Sequence, residues 1–399
     1  MKTTHTFLFI FMFLAAGCQN SLAITEKVSA SETSPQASSI IPTLLSSTAS
    51  PIFTRTSPPS FPVISEGNLE QLDSIRQWKT DLYPTTIPMW FSDSKQFIIP
   101  KIPEQDDASM GILSFHIGKS EPIWFIDTMS VQETLASTIN VGDQVLTYSQ
   151  GLRVFDKHGE ELDNVKPKNE CVLKQDPHFL TALDMDLVAT GHQVRTSEGG
   201  LNNSNEDLFS LLLWDQKDNT CVEIKDETLG YLMSLSASYD GRYISYSFGI
   251  RDTKTWLWQD QTDVYDLTMQ KETCRVMGLN VQFSNRNQIA SNNPAENIIF
   301  ITDLSDCSIQ TKIEFDDSTL LWSLSFHPNG YLLAGVSATT IYIWNIKTQK
   351  IVYERDFEIP TVVSFPTISF SPDGRFLLVT KPEDYSGKDK IILLGVLEE

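Results

Sequence analysis

Three hydrophobicity regimes follow one another along the chain. An apolar run from Phe7 to Ala16 stands shortly behind Met1-Lys2. From Gln19 to about Ser65, apolar positions thin out among Ser, Thr and Pro, as in Ser31-Glu-Thr-Ser-Pro-Gln-Ala-Ser-Ser39 and Thr56-Ser-Pro-Pro-Ser60. Beyond that, short apolar stretches alternate with clusters bearing Gly, Pro, Asn and Asp. Such stretches, bounded by turn residues, predict short β-strands with a buried face. The first run is too short to cross a bilayer, which takes ~20 apolar residues. With a positive residue before it and small residues after it, it predicts a secretory signal. The middle regime has too little apolar surface to offset its ordering entropy and predicts a flexible linker. As a coil its length corresponds to ~35–40 Å.

The third regime repeats with a period of roughly 40–50 residues, the spacing of propeller blades. Its clearest unit, Leu321–Phe357, opens Leu-Trp-Ser-Leu-Ser-Phe, turns at His327-Pro328-Asn329-Gly330 and continues Tyr-Leu-Leu-Ala-Gly-Val. It closes with Ile341-Tyr-Ile-Trp344-Asn345-Ile. Pro-Asn-Gly is a tight-turn sequence, and Trp344 is placed to pack between neighbouring blades. The same grammar recurs at Ser371-Pro372-Asp373-Gly374 with Lys390-Ile-Ile-Leu-Leu, and at Ser238-Tyr-Asp-Gly241 with Asp263-Val-Tyr-Asp-Leu. Weaker copies are Val281-Gln-Phe-Ser with Asn297-Ile-Ile-Phe-Ile-Thr-Asp303, Leu211-Leu-Leu-Trp214-Asp215, Gly151-Leu-Arg-Val-Phe-Asp156 and Met89-Trp-Phe-Ser-Asp93.

On these residues the chain resembles the WD40-repeat proteins, with Trp214-Asp215 as a literal Trp-Asp and Trp344-Asn345 in its place in a later unit. The resemblance implies an all-β, seven-bladed WD40-like β-propeller over residues 64–399. Its units fall at 83–128, 129–174, 175–228, 229–276, 277–317, 318–357 and 358–399. The last unit runs out after its third strand. The segment Ile64–Trp78 resembles the entry segment of such proteins, so residues 64–80 are expected to supply the closing strand. The Gly-His dipeptide and the Asp-His-Ser-Trp network of strong WD40 repeats are mostly missing. The periplasmic TolB-type propellers share the Ser-Pro-Asp-Gly turn; Ile341–Ile346 and the closing strand favour WD40.

Leu14-Ala-Ala-Gly-Cys18 resembles a bacterial lipobox, which implies lipidation of Cys18 after removal of residues 1–17 and a tether over residues 18–63. An ordinary signal peptide cleaved near Ala16 is the other reading. Anchoring at Cys18 would place the chain at the extracytoplasmic face of a membrane in the cell envelope. Gln19 lacks the aspartate that retains such lipoproteins in an inner membrane.

The formal net charge of −21 argues against nucleic-acid partners, since the basic residues are scattered singly. Cys171, Cys221, Cys274 and Cys307 each follow the third strand of a unit. An extracytoplasmic site would permit disulfides among them. A disulfide needs Cα atoms within ~7 Å, and equivalent outer positions on neighbouring blades splay farther. Four reduced, partly buried thiols are therefore expected. The acid-rich stretches Glu104–Asp107, Asn202–Asp207 and Glu383-Asp384 lack the spacing of a calcium loop and read as solvated loops. No Gly-x-Ser-x-Gly occurs, and the six His residues show no metal or partner spacing. No catalytic residue, metal or cofactor is expected. Trp214, Asp215, Trp344, Asn345, Pro328, Gly330, Pro372, Asp373 and Gly374 read as structural repeat positions.

The resemblance thus implies a non-enzymatic platform for an envelope or extracellular protein. The alternatives are a propeller enzyme or sugar-binding protein using the central channel, and a purely structural envelope protein. Carboxylates converging in the channel would favour the enzyme.

Overall fold

The computed structural model describes residues 61–80, 87–101, 110–128, 138–148, 151–166, 179–182, 186–195, 207–251, 258–293, 296–315, 321–356, 366–382 and 389–397. Within them the period-two stretches form strands that assemble into seven four-stranded antiparallel sheets, the blades of a β-propeller. After β1 (Leu72–Thr80), the first blade contains β2 (Met89–Trp90), β3 (Gln96–Lys101), β4 (Gly111–His116) and β5 (Trp124–Asp127). The second contains β6 (Thr138–Val141), β7 (Gln144–Tyr148), β8 (Leu152–Asp156) and β9 (Glu161–Val165). The third contains β10 (Phe179–Ala182), β11 (Leu187–Arg195), β12 (Asp207–Asp215) and β13 (Thr220–Leu229). The fourth contains β14 (Tyr231–Ala237), β15 (Tyr243–Arg251), β16 (Trp258–Asp266) and β17 (Lys271–Met277). The fifth contains β18 (Leu279–Phe283), β19 (Gln288–Asn293), β20 (Ile298–Asp303) and β21 (Ile309–Glu314). The sixth contains β22 (Leu321–Phe326), β23 (Leu332–Ser337), β24 (Thr340–Asn345) and β25 (Lys350–Asp356). The seventh combines β26 (Thr367–Phe370), β27 (Phe376–Pro382) and β28 (Asp389–Val396) with β1, in the order β1-β28-β27-β26.

The middle strands bury both faces, one against each neighbouring blade, which is why they read as nearly continuous apolar runs. An apolar cluster fills every gap between consecutive blades. Phe91 and Val145 meet between the first and second, Leu146 and Trp214 between the second and third, and Phe209 and Tyr246 between the third and fourth. Val264 meets Val281 in the next gap, Ile301 meets Trp344 in the one after it, and Ile343 meets Ile368 between the sixth and seventh. The seventh cluster joins Leu378 and Trp78 to Trp90 and Phe97, between the last blade and the first. An open row of seven blades has only six gaps. The seventh cluster therefore means a closed ring.

Closure has a second element. β1 pairs with β28 from Leu72 opposite Val396 to Thr80 opposite Asp389, so the first strand of the domain is the outermost of the last blade. Trp78 from β1 is buried edge-on against Phe97 at 5.3 Å and Phe115 at 5.9 Å. Its Nε1 donates to Lys119 O at 2.8 Å. The innermost strands pack in the order β2, β6, β10, β14, β18, β22, β26. Trp90 Nε1 on β2 donates to Ser369 O on β26 at 3.3 Å, which brings the last to the first.

An antiparallel meander puts its connections at alternating ends. One end of the ring carries the inner turns (first to second strand) and outer turns (third to fourth), which range from Val141–Gln144 to His116–Trp124. We call it the tight-turn face. The opposite end carries the remaining connections, among them those from Val165 to Phe179 and from Arg195 to Asp207. At two blade-to-blade steps that connection is a single residue, Gly230 and Gly278, so two unit boundaries lie a residue or two beyond the sequence reading.

The expectation of reduced thiols is corrected. Cys274 and Cys307 form a disulfide, with Cα atoms 5.4 Å apart. Cys274 lies within β17, whereas Cys307 lies in the outer turn ahead of β21. The two positions are not equivalent, so the splay between equivalent outer-strand positions does not separate them. Cys221 is likewise disulfide-bonded; Cys171 lies outside the described residues.

Candidate functional site

The repeat residues act first on their own turns. In the seventh inner turn Ser371 Oγ accepts from Phe376 N at 3.0 Å, and Asp373 Oδ1 accepts from Arg375 N at 3.1 Å. Gly374 N closes the turn onto Ser371 O at 2.9 Å, beside Pro372. The sixth inner turn, with Pro328, is built alike: Asn329 Oδ1 accepts from Tyr331 N at 2.7 Å and Gly330 N donates to His327 O at 2.8 Å. These are turns in which a short polar side chain stands in for a backbone acceptor. The residue after Trp serves the outer turn in the same way. Asp215 Oδ1 accepts from Asp218 N and Asn345 Oδ1 from Thr348 N, each at 3.0 Å. Trp214 is buried between blades and donates to Asn219 Oδ1 at 3.1 Å. Trp344, also buried, stacks on Tyr342 at 5.4 Å. Seven of the nine repeat residues thus lie in the adjacent sixth and seventh blades and two, Trp214 and Asp215, in the third, each serving its own turn or blade gap.

Neighbouring inner turns latch to one another. Arg286 donates to Asn329 O at 2.8 Å, with its guanidinium over the Tyr331 ring at 3.6 Å. His327 Nδ1 accepts from Asn329 N at 3.1 Å, so its Nε2 carries the proton and donates to Gly374 O at 3.0 Å. A Cβ at Gly374 would lie 2.4 Å from that Nε2, and φ there is +71°, so only glycine admits the contact. Burial holds the imidazole below its ordinary pKa, against the opposing pull of the Gly374 hydrogen bond. Asp373 N donates to Ser94 Oγ at 3.0 Å, and Ser92 Oγ to Asp143 at 2.5 Å. This belt links the inner turns of the fifth, sixth, seventh, first and second blades across the seam.

The channel wall differs in kind. The innermost strands read Met-Trp, Thr-Ile-Asn-Val, Phe-Leu-Thr-Ala, Tyr-Leu-Met-Ser-Leu-Ser-Ala, Leu-Asn-Val-Gln-Phe, Leu-Trp-Ser-Leu-Ser-Phe and Thr-Ile-Ser-Phe. Not one holds Asp, Glu, Lys, Arg or His. General acid–base chemistry needs a titratable side chain within hydrogen-bond reach, and the Tyr231 phenol is the one such group these strands contribute. Inner edges would otherwise leave backbone groups unpaired. Ser323 and Ser325 accept from Ile368 N and Phe370 N at 3.3 and 3.0 Å. Asn280 and Asn292 donate to Leu321 O at 3.2 and 3.1 Å. On β14 two large side chains stay exposed, Tyr231 at 46% and Met233 at 39%. Both stand at the end of β14 away from the tight-turn face. The β14–β15 register shifts between Leu232 and Ser234, a bulge that takes Met233 out of the alternation. Tyr231 and Met233 were not singled out from the sequence, because strand alternation alone does not say which residues of an innermost strand escape burial.

A charged network lies between the third and fourth blades. Lys225 of β13 meets Glu272 of β17 at 2.5 Å, and the buried Tyr246 hydroxyl donates to the same carboxylate. Burial alone would push Glu272 up; Lys225, Tyr246 and Arg275 outweigh it and hold the carboxyl below its ordinary range. Burial, then Glu272, pushes the Tyr246 hydroxyl far up, so it remains a proton donor. Arg275 grips the buried Asp263 through Nε at 2.7 Å and Nη2 at 3.0 Å. Every charge is matched, and the network fastens two blades rather than offering a reactive group. Among the described residues no three His, Cys, Asp or Glu side chains are grouped to hold a metal ion. Cys18 and the stretches Glu104–Asp107, Asn202–Glu206 and Glu383-Asp384 lie outside the described residues.

Set beside known proteins, the chain matches no protein-family model and no curated protein sequence.

Proposed function

We propose that this propeller is the platform of an envelope-anchored, WD40-like lipoprotein that binds a protein partner and carries out no catalysis. The observation that carries the reading is that the described innermost strands hold no charged side chain while Tyr231 and Met233 stay exposed on β14. Rigidly held Tyr and neighbouring apolar groups are the residue types that dominate protein–protein contacts. The latched turns supply the rigid scaffold such contacts require. The Leu14–Cys18 sequence supports the anchor, and the Cys274–Cys307 disulfide suits an oxidising compartment outside the cytoplasm. WD40 kinship rests on the Trp-Asp and Trp-Asn turns and on the strand that closes the last blade.

Cross-linking in intact cells, followed by recovery through a C-terminal tag, tests the reading. One envelope protein is expected in near-equal amount, and the Tyr231→Ala/Met233→Ala pair should lose it while folding normally. Cys18→Ser should move the chain from the membrane fraction to the soluble one. A membrane-anchored chain that recovers no specific protein would sink the platform and turn attention to sugars in the channel.

A further inference from the structure

His327 sits where the closing blade is fastened to its neighbour. It is 2% exposed, in the inner turn of the sixth blade, with Phe370 of β26 edge-on to its ring at 4.9 Å. Its two ring nitrogens play opposite parts. Nδ1 accepts from Asn329 N at 3.1 Å, within its own turn, and Nε2 donates to Gly374 O at 3.0 Å, in the turn of the seventh blade. That carbonyl has a second donor, Ile64 N at 2.9 Å, on a fully buried residue where the chain enters the ring. Glu66, two residues on, accepts from Asn345 Nδ2 at the sixth outer turn at 2.6 Å, so the entry lies on the tight-turn face. The sixth turn, the seventh turn and the entry thus converge on one carbonyl, and of its two donors the histidine alone titrates.

The arrangement suits one protonation state. An imidazolium is a donor at both nitrogens. A proton on Nδ1 would meet the Asn329 N–H, donor against donor, and would place a cation in a niche closed by Phe370 and turn backbone. Of the charged groups on the elements packed around the ring, Asp373 favours the cation, but its carboxylate is shared with Arg375 at 3.6 Å. Arg286 of the fifth turn is committed to Asn329 O and the Tyr331 ring, and opposes a second cation. Glu66 is engaged by Asn345, and β22 and β26 carry no charge.

We propose that His327 is an acid-sensitive latch: a second ring proton drives the imidazole from its niche and parts the sixth inner turn from the seventh, while Ile64 N stays on Gly374 O. The belt of inner turns then opens at one joint beside the seam, whatever the ring binds. A free histidine takes up the proton near pH ~6.5, the buried one only at lower pH. Between the two, the open turn holds the extra proton and the closed turn does not. The latch is therefore complete above ~6.5 and is lost as pH falls from there toward the folded value. Ordinary carboxylates titrate about two units lower, which leaves this window to histidine.

Hydrogen exchange of the full chain, read by mass spectrometry and corrected for the intrinsic pH dependence, tests the latch. It is measured at about pH 7.5 and about pH 5.5, one unit either side of the free histidine value. Protection across residues 326–332 should fall about tenfold in acid, the ratio of charged to neutral free imidazole at that pH. In His327→Gln, whose amide can still donate to Gly374 O but takes up no proton, protection should be equal at both. A fall of less than about twofold in the native chain, or the same fall in the variant, overturns the latch. Should the variant not fold, the imidazole itself decides. An NMR titration of the histidine ring that lies against Phe370 is expected to show a midpoint below ~6.5, and a midpoint at or above it overturns the latch.

Discussion

At the scale of single residues, the polar groups that end the third strands hold the blades in shape. Asp266 is the most deeply committed. Its Oδ2 accepts from Arg242 Nε at 3.0 Å and Nη2 at 2.7 Å, and its Oδ1 accepts from Thr268 N and Met269 N at 2.8 and 3.0 Å. Burial pushes this carboxyl up, but Arg242 and the two amides more than offset that and lower it overall. A folded-state value below the unfolded ~3.9 stabilises the ring above that pH and ceases to do so as pH falls through the folded value. Denaturant midpoints measured across the acid range should therefore fall more shallowly in Asp266→Asn than in the native chain. An unchanged slope would show that other carboxylates govern the acid limb. Gly278 is constrained differently: φ is +92°, and a Cβ would lie 2.1 Å from Asn292 O. Gly278→Ala should destabilise by about 2 kcal/mol or more, the scale of a strained backbone with a clash added. Gly67→Ala, with nothing within 4 Å, is the control and should change little. The turn residues were legible in the sequence because their work is local. Gly278 was not, because the atom that excludes a side chain belongs to another strand.

At the scale of elements, the disulfide joins an outer strand to the next blade's outer turn across a sequence separation of 33 residues. A bridge of that span typically contributes ~2–4 kcal/mol. The Cys274→Ala/Cys307→Ala double variant should lose about that much in equilibrium unfolding, and an unchanged midpoint would mean the seam holds without it. Its position matters because the latches traced between neighbouring inner turns run from the fifth blade through the seventh to the second, and the bridge serves the fourth-to-fifth gap. The sequence placed all four cysteines near the outer strands but treated them as equivalent. The offset between a strand and the turn of its neighbour is what brings two of them together. The units around Leu321–Phe357 and Ser371–Gly374 were the most legible, since each turn there carries its own acceptor and its own glycine.

At the scale of the molecule, stability depends on the seam. Trp78→Ala removes the large side chain that β1 places against Phe97 and Phe115, and should cost ~3–5 kcal/mol. Deleting residues 61–80 should do more. It bares the edge of β28 and opens the ring, so thermal unfolding should shift down sharply and size-exclusion should show aggregates. A monomeric truncated chain melting at the native temperature would show that the seventh gap holds without β1. What the sequence by itself determined was the material of the blades: strands from period-two runs, turns from Ser-Pro-Asp-Gly and its relatives, and the number of units. Those depend on contacts within a few residues. Only the tertiary structure decided which cysteines meet, which innermost side chains stay exposed, and that the chain enters on the tight-turn face. Each of those depends on how far neighbouring sheets are offset and twisted, a quantity set by packing around the whole ring and written at no single position.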